Sequence, residues 1–264
     1  MIGAEDQLDP QSPEDDYTEV DSCLSFFGVK EETLPLEQHH LKIHCLERIP
    51  GAMVLQGADL TGLKIWPGAD ALCRYLYSNQ TACNGQRVLE LGAGTGLCGL
   101  FARKLGAASV HMTDISELAL RCLQRNIQAN CSSEELRSGE VKSFHLLWGQ
   151  PCAHPRHPNQ QQYDLILGSE VAYAEDCVGP LFVTVNELLS QDLDSKFVIS
   201  HCARFDAVER AIEASLRLHN MHISETLTSV PRPASEWINT TEEGPEDVLI
   251  MIIKRGVSCN DGET

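Results

Sequence analysis

The chain lacks the features of several large protein classes. Its 264 residues contain no apolar run near the roughly 20 residues that a membrane-spanning helix needs. The longest run, Val248-Leu-Ile-Met-Ile-Ile253, suits a buried strand. The first residues have neither the basic and apolar regions of a signal peptide nor the arginine-rich character of a mitochondrial presequence. We therefore expect a protein of the cytoplasm, with the nucleus as a second location, and no membrane partner.

Paired cysteines are also lacking. The sequence has 11 cysteines, an odd number, and none of them forms a Cys-x-x-Cys pair. Neither a disulfide framework nor a thiolate zinc site is predicted from such spacing. We expect buried, reduced thiols and no bound metal.

Basic residues are scarce, with 20 Lys and Arg against 38 Asp and Glu, for a net charge of −18. Residues 1–37 hold eleven acids and the single base Lys30, so −10 of that charge lies in this segment. Such a surface repels phosphate backbones and anionic lipids and attracts basic protein segments. The expected partner is a protein substrate with a basic surface, and nucleic acid is not expected.

Composition divides the chain into four segments. Residues 1–21 are acidic and lack a periodic apolar pattern, which predicts a disordered tail. Residues 22–63 form an accessory segment, in which the alternation of His40–Leu46 predicts a strand of a small hairpin between Leu34 and Leu63. Residues 64–256 form the main domain and 257–264 a C-terminal tail. No internal repeat is visible, and we expect a monomer.

The main domain alternates between strand and helix patterns. A helix is predicted from Trp66-Pro to Tyr77, and later helices over Gly96–Leu105, Ser116–Ala129, Gly179–Leu189 and Phe205–Leu218. The predicted strands are Arg87–Leu91, Ser109–Thr113, Val141–Leu147, Tyr163–Gly168, Lys196–Ser200, His222–Leu227 and Val248–Lys254. This order predicts an α/β fold, a mostly parallel sheet of seven strands with helices on both faces.

A glycine-rich turn follows the first strand of this sheet. Gly92, Ala93, Gly94 and Gly96 stand between the strand and a helix, where glycine permits a tight turn and close approach of the main chain to a ligand. With Gly99, the spacing also matches the fingerprint for dinucleotides. The turn therefore predicts a nucleotide-like ligand without deciding which one.

Two carboxylates narrow the choice of ligand. Glu90, near the carboxyl end of the first strand, would repel a pyrophosphate but suits a ligand with an ammonium and a sulfonium group. Asp114 lies twenty residues after Gly94, at the end of the second strand, where it can accept hydrogen bonds from both ribose hydroxyls. These charges favour S-adenosyl-L-methionine over a dinucleotide.

The motif Glu90-Leu-Gly-Ala-Gly-Thr-Gly96 with Asp114 resembles the Rossmann-like seven-β-strand, class I S-adenosylmethionine-dependent methyltransferases. Trp66-Pro-Gly-Ala69, Leu147-Trp-Gly149 and Asp164-Leu-Ile-Leu-Gly-Ser-Glu-Val-Ala-Tyr173 resemble the lysine methyltransferase-like branch, methyltransferase family 16. The resemblance extends from about Leu60 to Leu189. It implies a protein methyltransferase that acts on lysine.

The resemblance also implies roles for individual residues. Glu170 and Tyr173 occupy the Asp/Glu-x-x-Tyr/Phe element of the active site, with glutamate in place of the commoner aspartate. Trp66, Trp148 and Ser169 are expected beside the cofactor, Trp148 against the adenine. His201 and Cys202, at the carboxyl end of a later strand, are candidates for the substrate channel.

Other functions remain open at this point. The acceptor could be arginine, histidine or a small molecule, because the fold does not determine the substrate. The glycine spacing also permits an NAD(P)-dependent oxidoreductase. A third possibility is a non-catalytic protein that keeps the fold to bind a partner.

Overall fold

The structure is a computed structural model that describes residues 24–49, 59–150, 162–229 and 247–256. The predicted tails at residues 1–21 and 257–264 lie outside the described residues. Among the described residues, no helix is long and apolar enough to cross a membrane.

An antiparallel hairpin precedes the main domain. Its strands are β1 (Lys30–Leu36) and β2 (His39–Cys45). Leu34 and Leu41 face each other across the pair, and both are fully buried. The predicted hairpin is confirmed, although it begins earlier in the chain than the sequence pattern indicates.

Seven strands form the central sheet, in the spatial order β5-β4-β3-β6-β7-β9-β8. They are β3 (Arg87–Leu91), β4 (Ser109–Asp114), β5 (Val141–His145), β6 (Leu165–Ser169), β7 (Lys196–His201), β8 (Met221–Ser229) and β9 (Val248–Arg255). β9 is antiparallel to β7 and β8, while the other neighbouring pairs are parallel. The predicted fold class, with its mostly parallel sheet, is confirmed.

Helices cover both faces of the sheet. They are α1 (Pro67–Ser78), α2 (Leu97–Lys104), α3 (Glu117–Asn130), α4 (Ser133–Ser138), α5 (Glu175–Leu188) and α6 (Asp206–Leu218). Alternate residues of a strand point to opposite faces, so Val88 of β3 packs with α1, α2 and α3, and Leu89 packs with α5 and α6. Each face therefore buries its own apolar cluster, which holds the strand ends in place.

A buried asparagine ties the hairpin to the glycine turn. The side chain of Asn126, on α3, accepts a hydrogen bond from the His44 main-chain nitrogen at 2.6 Å. Its amide nitrogen donates to the Thr95 carbonyl oxygen at 2.9 Å. Thr95 lies within the glycine turn, so the accessory hairpin braces the turn from behind.

Two helices differ from the sequence prediction. The helix expected after Gly179 begins at Glu175 and continues through Pro180, with Glu175 and Asp176 in its first turn. Carboxylates there are stabilised by the positive end of the helix, which favours the earlier start. The unpredicted α4 begins with a capping box between Ser132 and Glu135, a signal that is visible in the sequence.

Candidate functional site

A cavity of about 760 Å³ opens at the carboxyl ends of β3, β4 and β6. β3 pairs with β4 on one side and with β6 on the other, so the chain changes direction across the sheet at this place. Open α/β sheets bind ligands at such a switch point. The volume lies within the range of pockets for small organic ligands, roughly 300–1,000 Å³.

The glycine turn lines one wall of this cavity. Gly92 and Gly94 have φ angles of +59° and +52°, a region that residues with a side chain seldom adopt. A Cβ at Gly94 would lie 2.8 Å from the carbonyl oxygen of Gly62, so the main chains of the two segments approach closely. Ala93 also lines the cavity, and its nitrogen donates to the Thr113 carbonyl oxygen.

Gly96 has a different place from the other predicted residues of the turn. It is the residue before α2, with φ of +78°, and it is absent from the described cavity lining. A Cβ at this position would lie 2.2 Å from the Leu123 side chain. Glycine is thus needed at position 96 because a side chain there would clash with Leu123 of α3.

Glu90 lies beneath the turn, where it is 2% exposed and borders the cavity. Its carboxylate accepts a hydrogen bond from the Gly99 nitrogen at 2.8 Å, in the first turn of α2. Burial raises the pKa of this carboxyl to about 8, against the opposing effect of the Gly99 hydrogen bond. Burial therefore favours the protonated form of Glu90, and a cation in the cavity would favour the ionised form.

Asp114 ends β4 on the opposite side of the turn. One carboxylate oxygen accepts from the Gly94 nitrogen and the other from the Ser116 nitrogen, both at 2.9 Å. Each oxygen keeps a lone pair for a further donor. Burial raises the pKa of Asp114, while the hydrogen bonds from Ser116 and Gly94 lower it.

Trp66, Trp148 and Ser169 also line the cavity, as the sequence predicts for residues beside a cofactor. Trp148 lies over the glycine turn, because its ring would be 3.2 Å from a Cβ at Gly92. The Trp66 indole nitrogen donates to the Thr61 carbonyl oxygen, which orients its ring. The two indoles provide flat apolar surfaces for an aromatic ligand.

Glu170 follows β6 at the far side of the cavity, in a left-handed conformation with φ of +50°. One side-chain oxygen accepts from the Gly68 nitrogen at 2.9 Å, at the start of α1. The other oxygen accepts from the Arg204 guanidinium at 2.8 Å. A Cβ at position 68 would lie 2.5 Å from the Glu170 Cγ atom, so only glycine leaves room for this carboxylate.

Tyr173 stands at the mouth of the same cavity. Its side chain is 64% exposed, and it borders both the main cavity and a small depression beside Glu170. Partial burial raises the pKa of the phenol, which therefore stays protonated at neutral pH. Glu170 and Tyr173 therefore line the same cavity as all the predicted cofactor residues except Gly96, and Tyr173 is exposed at its rim.

The sequence prediction missed Arg204, which pairs with Glu170 from the loop after β7. His201 and Cys202 do lie at the end of that strand, as expected, and border the small depression. The His201 ring, however, bonds to the Glu209 carboxylate at 2.6 Å. Nothing in the described residues groups three or more His, Cys, Asp or Glu side chains for a metal ion.

Comparison with known proteins adds independent information. The family described as lysine methyltransferase matches residues 54–215. Protein N-lysine methyltransferase METTL21A of Danio rerio is 36% identical over 146 residues, which cover 55% of this chain and 63% of that protein. Protein-lysine methyltransferase METTL21E of Mus musculus is 29% identical over 226 residues, covering 80% and 88%. The chain thus spans less than two thirds of the first relative and most of the second.

Solved structures agree on the fold. Magnesium protoporphyrin IX methyltransferase of Synechocystis PCC 6803, crystallised with bound SAM, superposes with a TM-score of 0.50 at 18% identity. The match covers 71% of this chain and 78% of that enzyme. At such identity the likeness concerns the arrangement of strands and helices.

Proposed function

Because the chain belongs to the lysine methyltransferase family, we propose that it transfers a methyl group from S-adenosyl-L-methionine to a lysine side chain of a protein substrate. One observation carries the proposal. Glu170 and Tyr173 stand at the mouth of the cavity whose interior is lined by the glycine turn, Glu90 and Asp114. An acceptor from outside would meet a cofactor from inside at this place.

The interior suits S-adenosylmethionine, which supplies a methyl group on a sulfonium when bound. Asp114 would accept hydrogen bonds from the ribose hydroxyls with its remaining lone pairs. Glu90 would balance the cationic end of the cofactor from beneath the turn. Trp148 would cover the adenine, with Trp66 and Ser169 on the neighbouring walls, and the bare main chain of Gly92, Ala93 and Gly94 would permit close approach. Gly96 would act indirectly, by fixing the shape of the turn.

The rim would position the acceptor. Glu170 offers a carboxylate that is fixed from behind by Gly68, and it would orient the acceptor's amine toward the interior. Tyr173 would provide a wall beside the entering side chain. The lysine would arrive as an ammonium, which the Glu170 carboxylate attracts, and would lose a proton to solvent before its neutral amine attacks the methyl group. Orientation of that amine is the main demand of such a transfer.

The charge of the rim and interior favours a basic partner. The described residues around the cavity include five acids and two bases, namely Asp59, Glu90, Asp114, Glu170 and Asp176 against Lys64 and Arg204. With the net charge of −18, this supports a protein substrate with a basic surface. We further propose that the chain acts as a monomer in the cytoplasm and the nucleus.

A labelling experiment tests the proposal. The purified protein is incubated with a methyl-depleted cell extract and tritiated S-adenosylmethionine, and the labelled residue is located by mass spectrometry. We expect a protein band labelled on lysine, and no label with the Glu170→Gln variant. Label on arginine, histidine or a small molecule would refute the lysine assignment alone. Absence of any label, with saturable binding of reduced nicotinamide instead, would refute the methyltransferase proposal.

A further inference from the structure

Arg204 lies on the short loop between β7 and α6 and reaches across to Glu170. Its guanidinium donates to one oxygen of the Glu170 carboxylate at 2.8 Å. The two partners differ in burial, since the Glu170 side chain is 6% exposed and that of Arg204 is 44% exposed. The pair therefore joins a fixed anion to a cation that faces solvent.

The position of Glu170 does not depend on this ion pair. Its other carboxylate oxygen is held by the Gly68 nitrogen, at the positive end of α1. Its main-chain nitrogen donates to the Ser200 carbonyl oxygen at 2.9 Å. These contacts anchor the residue at both ends, so Arg204 can leave without displacing the carboxylate.

Both partners of this ion pair border the small depression at the rim. Glu170, Tyr173, Cys202, Arg204 and Phe205 border this depression together. The Tyr173 and Phe205 side chains are 64% and 62% exposed. An acceptor that entered this depression would reach the carboxylate that Arg204 already occupies.

We propose that Arg204 is a positioning residue that occupies the ammonium subsite of Glu170 until the acceptor lysine displaces it. The inference rests on the proposed function, because it takes Glu170 as the group that receives the acceptor. An arginine is always charged at physiological pH, so it competes with an entering ammonium at every pH where the enzyme works. Its partial exposure lowers the cost of leaving, because the guanidinium is already partly hydrated, and the entering ammonium replaces it as the partner of the buried carboxylate.

The displacement of Arg204 by a lysine predicts the direction in which the affinity for a cation changes when the Arg204 charge is removed. Removing a positive charge beside a subsite for a cation strengthens the binding of that cation. A residue that merely held Glu170 in shape would have the opposite effect, because its loss would weaken binding. The Arg204→Gln variant keeps the length and polarity of the side chain while it removes the charge.

The experiment uses n-butylammonium, which has the end group and four carbons of a lysine side chain, and n-butanol as its neutral counterpart. Each is titrated into the full chain with and without S-adenosylhomocysteine, and tryptophan fluorescence reports binding because Trp66 and Trp148 line the cavity. We expect Arg204→Gln to bind n-butylammonium about 3- to 10-fold more tightly than the unchanged protein. The affinity for n-butanol should stay the same.

Two further variants isolate the effect. In a Glu170→Gln background, Arg204→Gln should give a smaller gain for n-butylammonium than it gives beside an intact Glu170, because no carboxylate remains to be contested and only the repulsion by Arg204 is removed. Arg217→Gln removes an equal charge from the exposed pair with Glu213 at the far end of α6, and it should change nothing. A melting curve of each variant confirms that the fold is intact.

Three results would overturn the inference. The first is that Arg204→Gln binds n-butylammonium with unchanged or lower affinity. The second is that the affinity of Arg204→Gln for n-butanol, or of Arg217→Gln for n-butylammonium, rises by the same factor. The third is that no variant binds n-butylammonium saturably. Cation binding requires no methyl transfer. Charge exchange without any transfer to protein would therefore refute the proposed function and leave only the cation site at Glu170. Transfer to protein without charge exchange would refute this inference and leave the proposed function standing.

Discussion

The two sides of the cavity are built by different means. On the inner side, the ligand surface is main chain, held by glycines in left-handed conformations and by carboxylates that accept from a nitrogen of the glycine turn and from one at the start of α2. On the rim, the surface consists of exposed rings and an ion pair between Glu170 and Arg204. The inner side is organised before a ligand arrives, whereas the rim holds a contact that must open.

This difference matches what each side has to bind. A cofactor is the same molecule in every turnover, so a rigid surface with few degrees of freedom binds it at low entropic cost. A protein side chain has to enter and leave, and an entering ammonium can take the place of the partly exposed guanidinium, so that the buried Glu170 carboxylate keeps a cationic partner. Variants that affect one side without the other would sharpen the comparison.

The largest effect is expected at Glu170. Glu170→Gln keeps an oxygen for the Gly68 nitrogen but removes the charge that would orient the acceptor. We expect methyl transfer to fall by at least about 100-fold, within the range for loss of a group that acts at the reacting centre. The measurements are single-turnover transfer of tritium to the labelled protein and calorimetric binding of S-adenosylhomocysteine.

Cofactor binding by the same variant should remain within about twofold of normal, because Glu170 lies at the rim. Retained turnover would remove Glu170 from the mechanism. A parallel loss of cofactor affinity would show that the two sides are coupled and would break the comparison.

The second effect is expected at Asp114, on the inner side. Asp114→Ala removes the acceptor for the ribose and leaves the Gly94 nitrogen without its partner. We expect the dissociation constant for S-adenosylhomocysteine to rise by at least about 30-fold, equivalent to roughly 2 kcal/mol for a lost charged acceptor. Asp114→Asn serves as the matched control, because it keeps one oxygen that can support the turn. An unchanged constant in the alanine variant would refute the assignment to the ribose.

The inner side could be predicted from sequence because its signals are local. Gly92, Gly94 and Glu90 lie within a few residues of one another, and the strand before them and the helix after them are both periodic. Asp114 follows at the end of the next strand, which must lie beside the first in a parallel sheet. Short-range chemistry and simple topology were sufficient for this half of the site.

The rim was less predictable because its contacts join distant segments. Glu170 meets Gly68, 102 residues earlier, and Arg204, 34 residues later. The pairing of β6 with β7 brings Glu170 and Arg204 together, since Ser169, the last residue of β6, pairs with Ser200, the last but one of β7. The start of α5 was missed for a different reason, because Gly179-Pro180 has the pattern of a helix break although the helix passes through it.

The smallest effect is the dependence of cofactor binding on pH. It tests whether Glu90, on the inner side, is already ionised before the cofactor binds. Burial raises the pKa of the Glu90 carboxyl to about 8, so in the free protein this group carries a proton at neutral pH. The cationic end of the cofactor favours the ionised form, and binding below that pKa therefore releases a proton. The affinity for S-adenosylmethionine should rise as the pH rises toward 8.

The expected size is a decrease in the dissociation constant of up to about tenfold between roughly pH 6.5 and 7.5. The sulfonium of the cofactor keeps its charge at every pH in this window, and its α-amino group, with an ordinary pKa of about 7.7–8.0, stays mostly protonated. Glu90→Gln is the control, because it keeps the size of the side chain and has no proton to release, and its binding should be flat over the window. A flat profile in the unchanged protein would refute the proton release. If Glu90→Gln then bound the cofactor more weakly than the unchanged protein, Glu90 would be ionised without ligand, and the inner side would hold its charge in advance, through the Gly99 hydrogen bond and the start of α2, in the same way as it holds its main chain.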